Sequence, residues 1–247
     1  MNLLLVEEAE VDGQGIVAIS DHRARHLLDV LKVSPEQTVR VGLVGGGIGS
    51  ARIVSVVDDT VTLSCAFDRT PDRPAVDLLL ALPRPKVLRR LWAQFAALGV
   101  WRIILTNASR VERDYFDTHL LDPAVYIPLL FEGLQQARDT LLPEVSIHRR
   151  FRVLVEDELP ALGIDAQRLV ADPSSEGTVT DAVASGNGGR VLLAIGPEGG
   201  WNQFELDLLR THGFRSVGLG PRTLRSDTAA IALLALVHEA LRRPRAS

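Results

Sequence analysis

Two loops in the last quarter of the chain hold residue types that do chemistry. Val191–Ile195 is a continuous apolar run that reads as a strand, and it passes straight into Gly196-Pro-Glu-Gly-Gly200. Glycines at a strand exit let the backbone approach a ligand closely and leave amide N–H groups free to bind it. A plain strand-to-helix turn would need neither the adjacent glycines nor the proline and carboxylate beside them. The second loop is Leu219-Gly-Pro-Arg-Thr-Leu-Arg-Ser-Asp-Thr-Ala229, after a strand expected at Ser216–Leu219. It packs two arginines, an aspartate and three hydroxyls ahead of an apolar helix over Thr228–Arg242. Ser226 or Asp227 can cap that helix, but a cap alone leaves Arg222 and Arg225 without a purpose. Residues 229–237 are apolar on every face, so the helix must be enclosed by its own domain or by a second subunit.

Other chemistries find less support. His22 and His26 are spaced i,i+4 but lack a third ligand nearby in sequence. Gly45–Gly49 has neither the spacing nor the helix of a dinucleotide fingerprint and reads as a hairpin turn. No P-loop or Gly-x-Ser-x-Gly elbow occurs, and Cys65 lies in a strand without a neighbouring base. The run Arg84-Pro-Lys-Val-Leu-Arg-Arg90 opens a helix. Positive charge there opposes the helix dipole, so phosphate binding and a solvated helix start both stay open.

The elements that must position these loops fall into two groups. Arg69-Thr-Pro-Asp-Arg-Pro74 is a linker, since its prolines can neither join a ladder nor continue a helix. Before it, Val39–Val44, Ala51–Val57 and Val61–Ala66 read as short strands, with one helix at Asp21–Leu31, which suggests a small β-barrel. After it, apolar strands (Val76–Leu82, Val100–Leu105, Arg168–Ala171, Val191–Ile195) alternate with amphipathic helices (Lys86–Leu98, Tyr126–Arg138, Gln203–His212). That pattern predicts an α/β domain with a parallel sheet covered on both faces, where ligands gather outside the carboxyl ends of the strands.

The 247 residues, 46% hydrophobic and 23% charged, suffice for both domains. The single cysteine excludes a disulfide framework and a cysteine-cluster metal site, which fits a reducing cytosol. No apolar run is long enough to cross a bilayer, and no signal peptide is evident. A net charge of −4 excludes a globally basic coat, so any nucleic-acid binding must use a local patch. Basic residues outnumber acidic ones only between 75 and 150, by 10 to 8.

Ile195-Gly-Pro-Glu-Gly-Gly200 together with Leu219-Gly-Pro-Arg-Thr-Leu-Arg-Ser-Asp-Thr-Ala229 resembles the paired signature of the ribosomal small-subunit methyltransferase E family. These are S-adenosylmethionine (SAM)-dependent uridine-N3 methyltransferases of 16S rRNA in the SPOUT superfamily. His26-Leu-Leu-Asp-Val-Leu-Lys32, Leu98-Gly-Val, and Gln135-Gln-Ala-Arg138 with Pro143 are similar to further segments of the family. Three places depart from it: Ala97 stands for a glutamate, Arg225-Ser-Asp-Thr228 for Arg-Thr-Glu-Thr, and residues 82–90 for a lysine-rich helix start. The resemblance implies a PUA-like RNA-binding β-barrel over residues 1–70 and a SPOUT α/β domain with a trefoil knot over 75–247. It also implies a homodimer in the cytoplasm, acting on 16S rRNA or the small ribosomal subunit.

Carried onto this chain, the resemblance implies that SAM is held by Asp172, Pro173, Ile195, Gly196, Pro197, Gly199, Gly200, Leu219, Gly220, Leu224, Thr228 and Ala229. Arg225 is the expected stabiliser of the uracil anion, and Glu198 or Asp227 the expected proton acceptor. His26, Lys32, Arg84, Lys86, Arg89, Arg90, Gln135 and Arg138 are the expected RNA contacts. No metal is needed, because the donor already carries an activated methyl group. The alternatives are a SPOUT methyltransferase with another RNA target and a non-catalytic RNA-binding module.

Overall fold

A computed structural model of the chain describes residues 2–186 and 189–242. The chain divides into two compact units: one runs to Arg73 and takes in Leu130–Leu142, and the other comprises Pro74–Leu129 and the chain from Pro143 onward.

The first unit opens with β1 (Leu4–Val6) and β2 (Ile16–Ile19), followed by α1 (His22–Arg25). Asp21 caps α1 by accepting from Arg23 N. The helix expected over 21–31 keeps α geometry for only these four residues and then widens into a π turn at His26–Val30. β3 (Thr38–Leu43), β4 (Ile48–Val57) and β5 (Thr60–Arg69) complete a five-stranded sheet in the order β1-β3-β4-β5-β2. Only the β1–β3 pair is parallel. Irregularities in β4 at Ile48/Gly49 and Ile53/Ser55 bend the long hairpin, and the sheet curls around Val6, Val17, Leu27, Val41, Ile53 and Leu63. The glycine stretch is not all turn: β4 begins inside it, and a Cβ on Gly49 would sit 1.9 Å from Ala66 O. Residues 130–142 join this unit through Thr140, whose Oγ1 donates to Gly46 O (2.6 Å) and whose carbonyl accepts from Gly45 N (2.8 Å).

The second unit follows the alternating pattern. β6 (Val76–Ala81), α2 (Pro85–Ala97), β7 (Val100–Thr106), α3 (Pro123–Ala137, whose end falls in the first unit) and β8 (Glu144–His148) come first. Next are two helical turns, α4 (Phe151–Val153) and α5 (Leu159–Ala161), bridged by a π turn. Then come β9 (Gln167–Ala171), α6 (Val179–Ala184), β10 (Val191–Ile195), α7 (Gln203–Thr211), β11 (Phe214–Val217) and α8 (Ser226–Arg242). All six strands are parallel, in the order β11-β9-β10-β6-β7-β8. β6 and β10 are buried along their whole length, as central strands covered on both faces must be. β11 ends at Val217 rather than at Leu219, because Gly218 N turns away to donate to Gly177 O (2.9 Å). α8 leaves Leu236 40% exposed, so its own unit does not enclose it fully.

Candidate active site

Neighbouring strands of a parallel sheet point the same way, so β11, β9, β10 and β6 all end at one edge. Three of the loops that leave that edge are 172–178 after β9, 196–202 after β10 and 218–225 after β11. The first and third press against each other. Asp172 N donates to Val217 O (2.9 Å) and Ser175 Oγ to Ser216 O (3.1 Å), beside the Gly218–Gly177 bond. A Cβ on Gly218 would lie 2.2 Å from Ser175 O, so only glycine allows this crossing.

A pocket lies between the crossing and α8. Ala171, Asp172 and Pro173 form one wall, Val217, Gly218, Leu219, Gly220, Arg222 and Leu224 a second, and Ala229 and Leu233 the third. The space between these walls, open solvent included, is about 340 Å³. Its surface is largely apolar. The amides of Leu219 and Gly220 have no hydrogen-bond partner among the described residues. Asp172 is 4% exposed yet fully engaged, accepting from Ser174 N (3.0 Å), Ser174 Oγ (2.7 Å) and Arg210 Nη2 (2.8 Å). Burial pushes its carboxyl upward, but the Ser174 bonds and the Arg210 charge outweigh this and hold it below the ordinary carboxylate value.

The loop after β10 is braced separately. Gly200 N donates to Pro197 O (2.8 Å) with Gly200 at φ +71°, and Arg110 Nη1 donates to Gly199 O from the loop after β7. Glu205, 3% exposed, accepts from Ser109 N (2.6 Å) and from Asn202 N (2.8 Å), tying the β7 loop to the start of α7.

Of the expected cofactor residues, Asp172, Pro173, Leu219, Gly220, Leu224 and Ala229 line the pocket. Ile195, Gly196, Pro197, Gly199 and Gly200 lie at and after the end of the adjoining strand β10, outside its lining. Thr228 lines a different recess between α2 and α8, with Arg90, Gln94, Asp227 and Ile231. The expected catalytic residues are distinct in their engagements. Glu198 Oε1 accepts from Arg84 N at the start of α2 (3.2 Å). Asp227 Oδ2 accepts from Arg90 Nη2 (3.0 Å) and Oδ1 from Thr228 N (2.9 Å). Arg225 Nε lies 3.6 Å from Asp227 Oδ1, with its side chain 74% exposed.

Among the expected RNA contacts, Arg84, Lys86, Arg89 and Arg90 belong to the second unit, and His26, Lys32, Gln135 and Arg138 to the first. Lys32 (φ 51°) and Arg138 (φ 61°) both adopt left-handed backbone, Arg138 just beyond the last residue of α3. Sequence reasoning missed Gly218, Leu233, Arg110 and Glu205. Only Glu205 left a signal, the Asn202-x-x-Glu205 spacing of a capping box. No group of three or more His, Cys, Asp or Glu able to hold a metal occurs among the described residues.

An RNA methyltransferase domain model matches residues 71–238. The chain is 34% identical over 96% of its length to the ribosomal RNA small subunit methyltransferase E of Treponema pallidum, of which it covers 90%. It belongs to the methyltransferase E family. Another family member, from Borreliella burgdorferi, is 23% identical over 94% of this chain and 95% of its own length. The fold matches that of the methyltransferase E of Neisseria gonorrhoeae, a structure bound to SAM (TM-score 0.77, 20% identity, 97% of each chain covered). It also matches a putative methyltransferase of Legionella pneumophila in complex with SAM (TM-score 0.76, 22% identity, 97% of each). In this methyltransferase E family member, the matched domain spans every loop of the carboxyl edge.

Proposed function

We propose that the protein is a SAM-dependent methyltransferase that modifies N3 of a uridine in 16S ribosomal RNA. The observation that carries this reading is the pocket itself, built at the carboxyl edge from the second of the two loops that hold the family signature. Its residues suit an adenosyl group. Leu219, Leu224, Ala229 and Leu233 offer apolar contact to a purine, and the partnerless amides of Leu219 and Gly220 suit the acceptors such a ring carries. When bound, the cofactor supplies a methyl group already activated on a sulfonium.

The protein's own task is then positioning, proton removal and charge stabilisation. Uridine N3 is a weak acid, protonated at neutral pH, and becomes a good nucleophile only once the proton leaves. Arg225, tethered beside Asp227, offers its charge to the anion that develops on the uracil carbonyls. Both Asp227 oxygens are already engaged, by Arg90 and Thr228 N, whereas Glu198 Oε2 takes no bond among the described residues. Glu198 is therefore the proton acceptor of choice, directly or through water. Because N3 is a Watson–Crick edge atom, the base must be unpaired or flipped, and Arg84, Lys86 and Arg89 supply phosphate contacts.

The architecture fits the same activity. The tight passage of 216–218 across 172–177 supports a trefoil knot. The curled five-stranded sheet supports a PUA-like RNA-binding domain over residues 1–70, with the catalytic domain over 75–247. The exposed Leu236 on α8 supports a homodimer that covers it. A ribosomal target supports a cytoplasmic location. The test is in-vitro methylation of small ribosomal particles with labelled SAM, followed by mass-spectrometric mapping. N3-methyluridine in 16S rRNA is expected; label at another base or position, or none, would overturn the assignment.

A further inference from the structure

We propose that Arg222 recognises the α-carboxylate at the methionyl end of SAM and makes the pocket selective for a carboxylated adenosyl donor. The inference rests on the reading of the pocket as the SAM site. Two charged residues line that pocket, Asp172 and Arg222. Asp172 has both oxygens engaged, by Ser174 and Arg210, and its charge already faces that of Arg210. Arg222 is the opposite case: it is exposed, and its guanidinium makes no hydrogen bond or ion pair among the described residues.

Two other arginines are occupied: Arg210 holds Asp172 and Arg90 holds Asp227, while Arg225, beside the same Asp227, is not among the residues that line the pocket. Gly220, at φ +89°, and Pro221, with its fixed φ, turn the chain so that residue 222 returns to the pocket wall. The rest of that wall is apolar side chain and backbone amide, which cannot neutralise an anion. SAM carries one carboxylate, and a guanidinium matches it with two parallel N–H donors. Among the described lining residues, the one charge without a partner thus has the sign to meet the one anionic group of the cofactor.

The test compares SAM with decarboxylated SAM, which keeps the adenosine, sulfonium and amine but lacks the carboxylate. Each is titrated calorimetrically into the intact chain and into Arg222→Met. The unaltered protein is expected to bind SAM about tenfold or more tightly than the decarboxylated compound, the scale of a charged hydrogen bond. Arg222→Met is expected to bind both compounds alike, with its affinity for decarboxylated SAM unchanged, which also shows that the pocket is intact. Equal affinities in the unaltered protein, or a variant that loses affinity for both compounds equally, would overturn the role of Arg222. Failure of the unaltered protein to bind either compound would instead overturn the assignment of the pocket.

Discussion

Glu205 is acidic and almost wholly buried, with Ser109 N and Asn202 N on its two oxygens. Replacing it by leucine removes the acceptor of both part-buried bonds, and a donor left unsatisfied costs about 1–3 kcal/mol. Glu205→Leu is therefore expected to lower the urea midpoint by the equivalent of about 2–3 kcal/mol with the m-value unchanged. His238 contributes through pH. Burial pushes its imidazole below the ordinary value of 6.5, a bond to the Leu98 carbonyl opposes this, and Arg242 adds to it. Among the described residues its buried Nε2 has no hydrogen-bond partner. The unfolded chain then binds a proton at a pH where the folded one does not, so stability is full above pH 6.5 and falls as pH drops below it. His238→Phe is expected to flatten the difference between urea curves recorded on either side of that value. Arg225→Ala tests the charge beside Asp227: methyl transfer should be lost while SAM binding, read by calorimetry, persists.

At the level of elements, the crossing of 172–177 by 216–218 is the feature that shapes the pocket, and glycine is what permits it. Gly218→Ala puts a methyl carbon 2.2 Å from Ser175 O, a clash with backbone that cannot rotate away. The expected result is a loss of about 1–3 kcal/mol together with weakened SAM binding. Gly213→Ala is the control. Its φ of +84° strains an alanine, but nothing lies within 4 Å of the added carbon, so stability should fall without a change in SAM affinity. These elements were unequally legible in the sequence. β6, β10, α2 and α8 announced themselves by continuous apolar runs or a helical stripe, because burial on two faces or one leaves just that pattern. β8 (Glu144–His148) alternates polar and apolar residues over only five positions at the sheet edge, too short to register. The early end of β11 was invisible because Gly177, forty-one residues upstream, supplies the carbonyl that draws Gly218 away. The Gly196–Gly200 loop lies outside the lining of that pocket; Gly200 serves a turn there, and Gly196 packs close to Trp201 N.

For the whole molecule, net charge decides how RNA is held. At −4 the chain repels a polyanion on average, so binding must come from a few cations not already neutralised by neighbours. The second unit presents Arg84, Lys86 and Arg89 at the start of α2, all without an ion pair among the described residues. Arg90 is one residue further along but belongs to Asp227, a distinction no reading of the basic run 84–90 could make. The two arginines should therefore behave differently in one experiment. Removing a single phosphate interaction lowers the slope of log affinity against log salt by roughly 0.7–0.9. Arg89→Gln is expected to weaken RNA binding across sequences and to flatten that slope by about this amount. Arg90→Gln is expected to leave the slope near its original value and to depress turnover instead, since it frees the carboxylate beside Arg225. Binding titrations of ribosomal RNA fragments at several salt concentrations, run with single-turnover methylation, separate the two. Identical salt slopes for Arg89→Gln and the unaltered protein would remove α2 from the RNA surface.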